Sequence, residues 1–137
     1  MIVRYMLLAE SVVQDIQTSW VSIFNVMDAI RPQGFPVLIQ KCSVLVALTK
    51  EAHDPVRVDC AVSLTMGGNE LARLPVTVDF QDKLKNNTIM QLLGLVIPGP
   101  GELVATFYQN DVPLESTVFL VEAAAPLAGV QVVQTQR

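Results

Sequence analysis

Acid–base chemistry in this 137-residue chain would depend on one side chain, because His53 is the only histidine. It lies in the segment KEAHDPV beside Asp54. A histidine base also needs a nucleophile and an orienting group within reach, and neither Cys42 nor Cys60 falls on an adjacent loop. We therefore expect His53 to be an exposed loop residue. We assign no catalytic residue and no cofactor-binding residue, and we predict that the protein is not an enzyme.

The two cysteines sit in alternating apolar segments, where a free thiol behaves as a small hydrophobic side chain. Two cysteines without an export signal do not make a disulfide framework, so Cys42 and Cys60 are predicted to be buried free thiols. A structural zinc site needs four ligands, which one histidine and two cysteines cannot supply. No metal-ligating residue is assigned.

Acidic side chains in the loops raise the possibility of a bound hard cation such as calcium, which carboxylates could hold. In an antiparallel sandwich, successive loops alternate between the two ends. One end would then collect Glu10, Asp15, Glu51, His53, Asp54, Asp82 and Asp111, and the other end Asp28, Glu70 and Glu102. No D-x-D spacing supports a cation loop, and Lys50, Lys83 and Lys85 would offset much of the negative charge.

Exposed aromatic rings are a second possible binding feature, because sugars stack on them in carbohydrate-binding sandwiches. Tyr5 and Tyr108 are the candidates for exposure. The other aromatic side chains fall on predicted strands and are expected to pack in the core: Trp20, Phe24, Phe80, Phe107 and Phe119. Core packing is therefore favoured over a sugar platform.

The elements that must position these residues are short strands. Apolar side chains fall at every second position of 56–66, and the rhythm returns at 74–80 after GGNE. Two alternating runs around a short glycine-containing connection indicate an antiparallel hairpin with one solvent-exposed face. Pro75 lacks an N–H donor, so this part of the hairpin should lie at a sheet edge.

Similar segments occur along the rest of the chain, at 2–9, 19–26, 35–48, 89–97, 103–109 and 114–122. With the hairpin they give about eight strands, which predicts an all-β antiparallel β-sandwich, Ig-like or jelly-roll-like. The segments VVQDIQ and VMDAIR could each form one helical turn. Neither is long enough for a crossover helix, so parallel pairing is not expected.

Length, composition and net charge limit which kinds of protein this chain can be. A chain of this length fits one domain, assigned to 2–122. Hydrophobic residues make up 51% and charged residues 16%, and that shortage of charge predicts a homo-oligomer that hides part of its surface. The net charge of −4 argues against nucleic acid as a partner. Without a bilayer-length apolar run or a signal sequence, we expect a cytoplasmic protein with no membrane partner.

Several segments together resemble a family of small, uncharacterised bacterial β-sandwich proteins. They are VRYMLLAE, SIFNVMDAIRP, FPV, the central hairpin and LLGLVIPGPGELVATFYQNDVPL. The similarity covers roughly 2–122 and implies a sandwich of antiparallel strands with no assigned activity. The loop NVMDAIRPQG departs from the family pattern, because it lacks glycines that many relatives have there.

Residues 123–137 form a C-terminal extension outside that similarity. Its β-prone part at 130–134 is predicted to dock on a sheet edge or on a neighbouring subunit. We interpret the protein as a non-enzymatic interaction or structural module without cofactors. The alternative is a ligand-binding module that takes a cation or a carbohydrate at one end of the sandwich.

Overall fold

The computed structural model describes residues 1–124. The strand predicted at 130–134 lies outside the described residues, as does most of the extension. The described chain has nine strands and no helix, and therefore no helix that could cross a bilayer. The strands are β1 Ile2–Gln14, β2 Val21–Val26, β3 Ala29–Ile30, β4 Val37–Thr49, β5 Arg57–Met66, β6 Asn69–Asp79, β7 Lys85–Ile97, β8 Gly101–Gln109 and β9 Val112–Val121.

These strands form two packed sheets, as the all-β prediction requires. One sheet has four strands in the order β2-β1-β4-β7, and the other has five in the order β3-β9-β8-β5-β6. All neighbours are antiparallel except β3 and β9, which pair in parallel through Ala29 and Ile30. The expectation of purely antiparallel pairing was wrong at this point, because a two-residue strand needs no crossover helix.

The central hairpin is confirmed. Met66 pairs with Asn69, and the two residues between them, Gly67 and Gly68, have φ values of 57° and 83°. A two-residue turn with both φ angles positive matches the twist of antiparallel strands and favours glycine. Pro75 lies on β6, which is an edge strand, so its missing N–H costs no hydrogen bond to an outer neighbour.

The core lies between the two sheets and takes one face of nearly every strand. Its largest fully buried side chains include Phe80, Phe107, Leu64 and Leu103. β1 contributes inward side chains as well, among them Leu8. Burial of one such side chain stabilises the fold by roughly 1.5–3 kcal/mol relative to leaving it exposed. The shared interior therefore holds the two sheets together.

The outer face of β5, which was predicted to be exposed to solvent, is partly covered. On β5, Ala61 and Ser63 point away from the core but are buried. The guanidinium of Arg73 on β6 lies 4.8 Å from the ring centroid of Tyr108 on β8. Since β5 runs between these two strands, the Arg73 side chain crosses β5 and covers its small outward residues. The expectation of one solvent-exposed face was wrong here, because a long side chain lies over short ones.

β1 divides into two parts at Ala9. Ala9 pairs with Ser43 of β4 on one side and Val26 of β2 on the other. Beyond Ala9, β1 no longer pairs with β4 and keeps only its antiparallel partner β2. Residues 10–26 therefore form a hairpin that leaves the four-stranded sheet, and we call it the hairpin arm.

Local structure in and after the arm differs from the sequence prediction. VVQDIQ ends β1 and enters a turn, and VMDAIR contains the end of β2 and all of β3, so neither forms a helical turn. The strand count is nine and not about eight, because β3 was missed. Two residues are too few to show a period, so sequence alone carried no signal for β3.

Replacing Leu64 by Ala should lower the free energy of unfolding by about 2–5 kcal/mol, because Leu64 is fully buried in the core. The matched control is Leu93→Ala on β7, where the side chain is 72% exposed and the change should stay within about 0.5 kcal/mol. Denaturant unfolding of both variants measures the difference. Equal losses would contradict the placement of the core.

Candidate functional site

The loop between β4 and β5 carries the acidic cluster that the sequence suggested. Glu51, His53 and Asp54 each offer one ligand atom, and these atoms lie within 4.8 Å of one another. His53 is an exposed loop side chain, as predicted, with 78% of its surface accessible. Its Nε2 lies 3.6 Å from Glu51 Oε1 and 3.9 Å from Asp54 Oδ1. Three of the seven residues expected at this end therefore come together.

The carboxylate of Asp54 already has a cationic partner. The N-terminal ammonium of Met1 donates to Asp54 Oδ2 at 2.7 Å, and the backbone N–H of Glu51 donates to the same oxygen at 2.8 Å. The ammonium hydrogen bond, followed by the backbone N–H bond, holds the pKa of Asp54 below its ordinary value. Asp54 thus ties the N-terminus to the β4–β5 loop, which explains the cluster without a ligand.

The other acids predicted for this end lie elsewhere. Glu10 is in β1 and accepts a hydrogen bond from Asn25 within the hairpin arm. Asp15 lies in the arm's turn and Asp82 in the β6–β7 segment. None of these three residues joins the cluster of Glu51, His53 and Asp54.

The prediction that acidic residues are divided between opposite ends of the sandwich was wrong for one pair. Glu70 and Asp111 were assigned to opposite ends of the sandwich, yet both contact the guanidinium of Arg73, at 3.3 Å and 3.9 Å. A long arginine side chain spans the outer face and reaches both. Their charges are therefore used in one surface ion-pair network.

Both cysteines are buried free thiols, as predicted. Burial raises the pKa of Cys42, and burial together with the nearby Asp59 carboxylate raises the pKa of Cys60 to about 11. A thiol with a raised pKa holds little thiolate near neutral pH, and the thiolate is the reactive form. Neither side chain is placed to act as a nucleophile.

The aromatic side chains divide differently from the prediction. Phe80, Phe107 and Phe119 are buried in the core as expected. Trp20 and Phe24 were predicted to pack there, and this was wrong, because both lie on the hairpin arm and are largely exposed. Within residues 1–124 no second sheet packs on β2, so alternation along the arm does not lead to burial.

The tyrosines also differ from one another. Arg73 lies over the Tyr108 ring, so that ring face is occupied. Tyr5 is half exposed, and its ring has Arg4 at 5.7 Å from the centroid. Tyr5 borders an open cleft.

A large open cleft of about 1090 Å³ lies where the hairpin arm meets the sandwich. Arg4 and Tyr5 of β1 line it, together with arm residues between 14 and 21 and residues of the β6–β7 segment between 79 and 87. A straight strand would separate Tyr5 from Gln14 by about 30 Å at ~3.3 Å per residue. Because both line one cleft, we infer that β1 bends after Ala9 and brings the arm's turn back towards the β6–β7 segment.

Sequence reasoning missed this cleft because the segment 19–26 was interpreted as an ordinary core strand. A signal was present in DIQTSW. Asp15 accepts hydrogen bonds from the backbone N–H groups of Gln17 and Thr18, at 2.8 Å and 2.9 Å. An aspartate followed by such polar residues is typical of a side-chain-stabilised turn. That turn places Trp20 at the tip of a hairpin.

The Asp54 ion pair should make stability depend on pH. A carboxylate whose pKa is lowered by folding contributes stability above its ordinary value of 3.8, and this contribution is lost as the pH falls through the lower folded value. Asp54→Asn should therefore be destabilised relative to wild type at about pH 7, and the difference should shrink towards about pH 3. Denaturant unfolding at both pH values measures it.

The control variant for that measurement is Asp82→Asn, because Asp82 is exposed and lies in a different loop. Its free energy of unfolding should follow that of wild type across the same pH range. A difference between wild type and Asp54→Asn that stays constant with pH would contradict the ion-pair assignment.

Both thiols should resist modification in the folded protein. An aromatic disulfide reagent at about pH 8 is expected to leave Cys42 and Cys60 unreacted until denaturant is added, because both are buried and have raised pKa values. Absorbance of the released thiolate follows the reaction. Rapid reaction of one equivalent without denaturant would contradict the burial assignment.

Comparison with known proteins identifies a family but assigns no activity. No curated protein matches this sequence. The sequence profile of DUF6941, a family of unknown function, matches residues 4–122. This range runs from the bulged start of β1 to the residue after β9 and so includes the arm, the cleft and both sheets. The chain belongs to the DUF6941 family.

Proposed function

We propose that this protein is a non-enzymatic interaction module that associates with a second copy of itself through the hairpin arm. The observation that carries the proposal is a set of three apolar side chains on the arm, Val13, Phe24 and Val26, each 53% exposed. Exposed apolar groups that lie together on one surface are typical of a protein contact.

The register of the arm puts Val13 and Phe24 on one face, and Val26 follows beyond Asn25, whose φ of 55° interrupts the alternation. Ala9 pairs with Val26, Ser11 with Phe24, and Val13 with Ser22. Positions two apart along a strand share a face, and directly paired residues share it as well. We call this the outward face of the arm, and between its apolar side chains it carries only small residues.

The free edge of β2 supports association with another strand. β2 is the outermost strand of the four-stranded sheet and pairs, within residues 1–124, only with β1. Its other edge presents backbone N–H and C=O groups that a further strand could pair with. Two copies of β2 that pair antiparallel are related by a two-fold axis, which is the commonest symmetry of homodimers.

The distribution of charge favours the arm over other apolar surfaces. The segment 19–26, SWVSIFNV, carries no charged residue, so two copies can approach there without repulsion although each has a net charge of −4. Two other exposed apolar side chains lie opposite charged ones, whereas Leu38 and Val96 lie opposite each other. Leu93 pairs with Lys41, and Leu120 pairs with Glu102.

We also propose that the sandwich is of the Ig-like kind. The core of an Ig-like fold sets strands A, B and E against strands G, F, C and C′. The orders β1-β4-β7 and β9-β8-β5-β6 fit this arrangement when β1 is taken as A and β4 as B. The arm is then an insertion after strand A, and β3 is the short segment that pairs in parallel with G. Fold kind alone assigns no activity.

The remaining expectations from sequence belong to the same proposal. Two buried free thiols agree with a cytoplasmic location. The acidic composition continues to disfavour nucleic acid, and we propose no membrane partner and no cofactor. A cation at Glu51 and Asp54 is not included, because the Met1 ammonium already neutralises the Asp54 carboxylate.

The double variant Phe24→Ser, Val26→Ser should convert a dimer into a monomer, because it removes two exposed apolar side chains from β2, one of them on the outward face. Light scattering at about 100 µM protein suits an interface of micromolar affinity. The control Leu93→Ser changes an equally apolar and more exposed side chain on β7 and should leave the dimer mass unchanged.

Two results would contradict the proposal. One is a wild-type protein that is monomeric at that concentration. The other is a dimer mass that persists in the double variant, since another surface would then hold the copies together. A melting temperature close to that of wild type shows that the variant is folded, because Phe24 and Val26 lie outside the core.

A further inference from the structure

Trp20 is the only tryptophan of the chain, and 77% of its surface is accessible. It borders the cleft between the hairpin arm and the sandwich. An indole ring exposed to this degree leaves a large apolar face without a partner, and such faces favour stacking ligands. Tyr5 borders the same cleft from β1.

The backbone around Trp20 is held by its own hydrogen bonds. The N–H of Asp15 donates to the Trp20 carbonyl at 2.8 Å, and the Trp20 N–H donates to Thr18 Oγ1 at 3.1 Å. Ser19 adopts a φ of 63° and donates its N–H to the Asp15 carbonyl. The ring is thus presented from a fixed turn, which lowers the entropy lost on binding.

Side-chain amides surround the aromatic groups. Gln14 borders the cleft from the arm, and Gln81, Asn86 and Asn87 border it from the β6–β7 segment. Each amide has both donors and acceptors, as sugar hydroxyls do. Asn86 is engaged on both sides, with Asp79 and Thr88, whereas Gln81 has no side-chain hydrogen bond within the described chain.

Basic side chains outnumber acidic ones at the cleft, three to two. Arg4, Lys83 and Lys85 border it and form no ion pair within residues 1–124. The two acids that border it are engaged: Asp15 accepts backbone N–H groups of its own turn, and Asp79 accepts the Gln81 N–H and faces Arg57 at 3.8 Å. A ligand in the cleft therefore meets an excess of one basic side chain over the acidic ones, and Arg57 further offsets the Asp79 carboxylate.

From these features we infer that the cleft binds an acidic oligosaccharide, a short chain of sugar rings that carry carboxylates. The apolar faces of sugar rings fit the exposed indole, the hydroxyl groups fit the amides, and the carboxylates fit the lysines. A cleft of about 1090 Å³ exceeds the ~300–1000 Å³ usual for small ligands and suits several linked rings. The net charge of −4 disfavours a nucleic acid here.

This site is separate from the proposed self-association surface. Gln14 and Val21, which border the cleft, pair with each other and lie one position along from Val13 and Ser22. Neighbouring positions on a strand point to opposite faces. Gln14 and Val21 thus border the cleft from one face of the arm, and Trp20 borders it from the arm's turn. Sugar binding and dimer mass are measured separately, so either proposal can fail without the other.

Tryptophan fluorescence gives a direct test, because Trp20 is the only indole. Titration of the full chain with tetragalacturonate should shift its emission to shorter wavelength in a saturable way. The neutral cellotetraose should bind at least tenfold more weakly, since it lacks carboxylates for Lys83 and Lys85. Added salt should weaken binding of the acidic sugar.

Two variants followed by calorimetry extend the test. Lys83→Gln, Lys85→Gln and, separately, Trp20→Ala should each weaken tetragalacturonate binding at least tenfold while the melting temperature stays near that of wild type. The control is Phe24→Ser on the outward face, which should keep wild-type affinity for the sugar whatever it does to the dimer.

The inference is overturned if tetragalacturonate gives no saturable signal at millimolar concentration. It is equally overturned if cellotetraose binds as tightly, or if the lysine variant binds as wild type does. Tighter binding of single-stranded DNA or of an acidic peptide than of the sugar would assign the cleft to another class of ligand and overturn it too.

Discussion

The fold depends on the burial of two apolar sheet faces against each other. Most strands of the sandwich give alternating side chains to that interior, and the thiols of Cys42 and Cys60 are among them. Burial keeps these groups apolar and unreactive, and it fixes the register of each strand, because a slip by one residue would expose the whole inward set. Polar side chains are therefore left to the loops, the outer faces and the arm.

The hairpin arm begins where β1 stops contributing side chains to the core. The first part of β1 supplies Met6 and Leu8 to the core, but beyond Ala9 its side chains no longer face a second sheet. Ala9 is fully buried at the point where β1 has partners on both sides. A small residue there lets the chain turn away from β4 without a clash. One bend thus creates the free edge of β2, the exposed face of the arm and the cleft behind it.

Much of the fold could be predicted from sequence because alternation reports strands directly. The β5–β6 hairpin, the edge position of Pro75 and the burial of both thiols all follow from local pattern. Alternation shows that a strand has two faces, but it does not show whether anything covers them. Trp20 and Phe24 have the same spacing as core aromatics and lie in solvent. The alternation predicts that Ala61 and Ser63 are exposed to solvent, but both are buried under Arg73. The position of the Arg73 side chain across β5 could not be predicted from sequence periodicity.

The contrast between two aromatic residues shows why the candidate site lies at the arm. Tyr108 has an arginine 4.8 Å from its ring centroid, and that arginine is held in turn by Glu70 and Asp111. A ligand that stacked on Tyr108 would have to displace this network and expose Ser63 beneath it. Within residues 1–124 no side chain covers Trp20 in this way, since 77% of its surface is accessible, and hydrogen bonds within its own turn hold its backbone. A ligand that stacks on Trp20 therefore displaces no such ion-pair network, which lowers the cost of binding there relative to Tyr108.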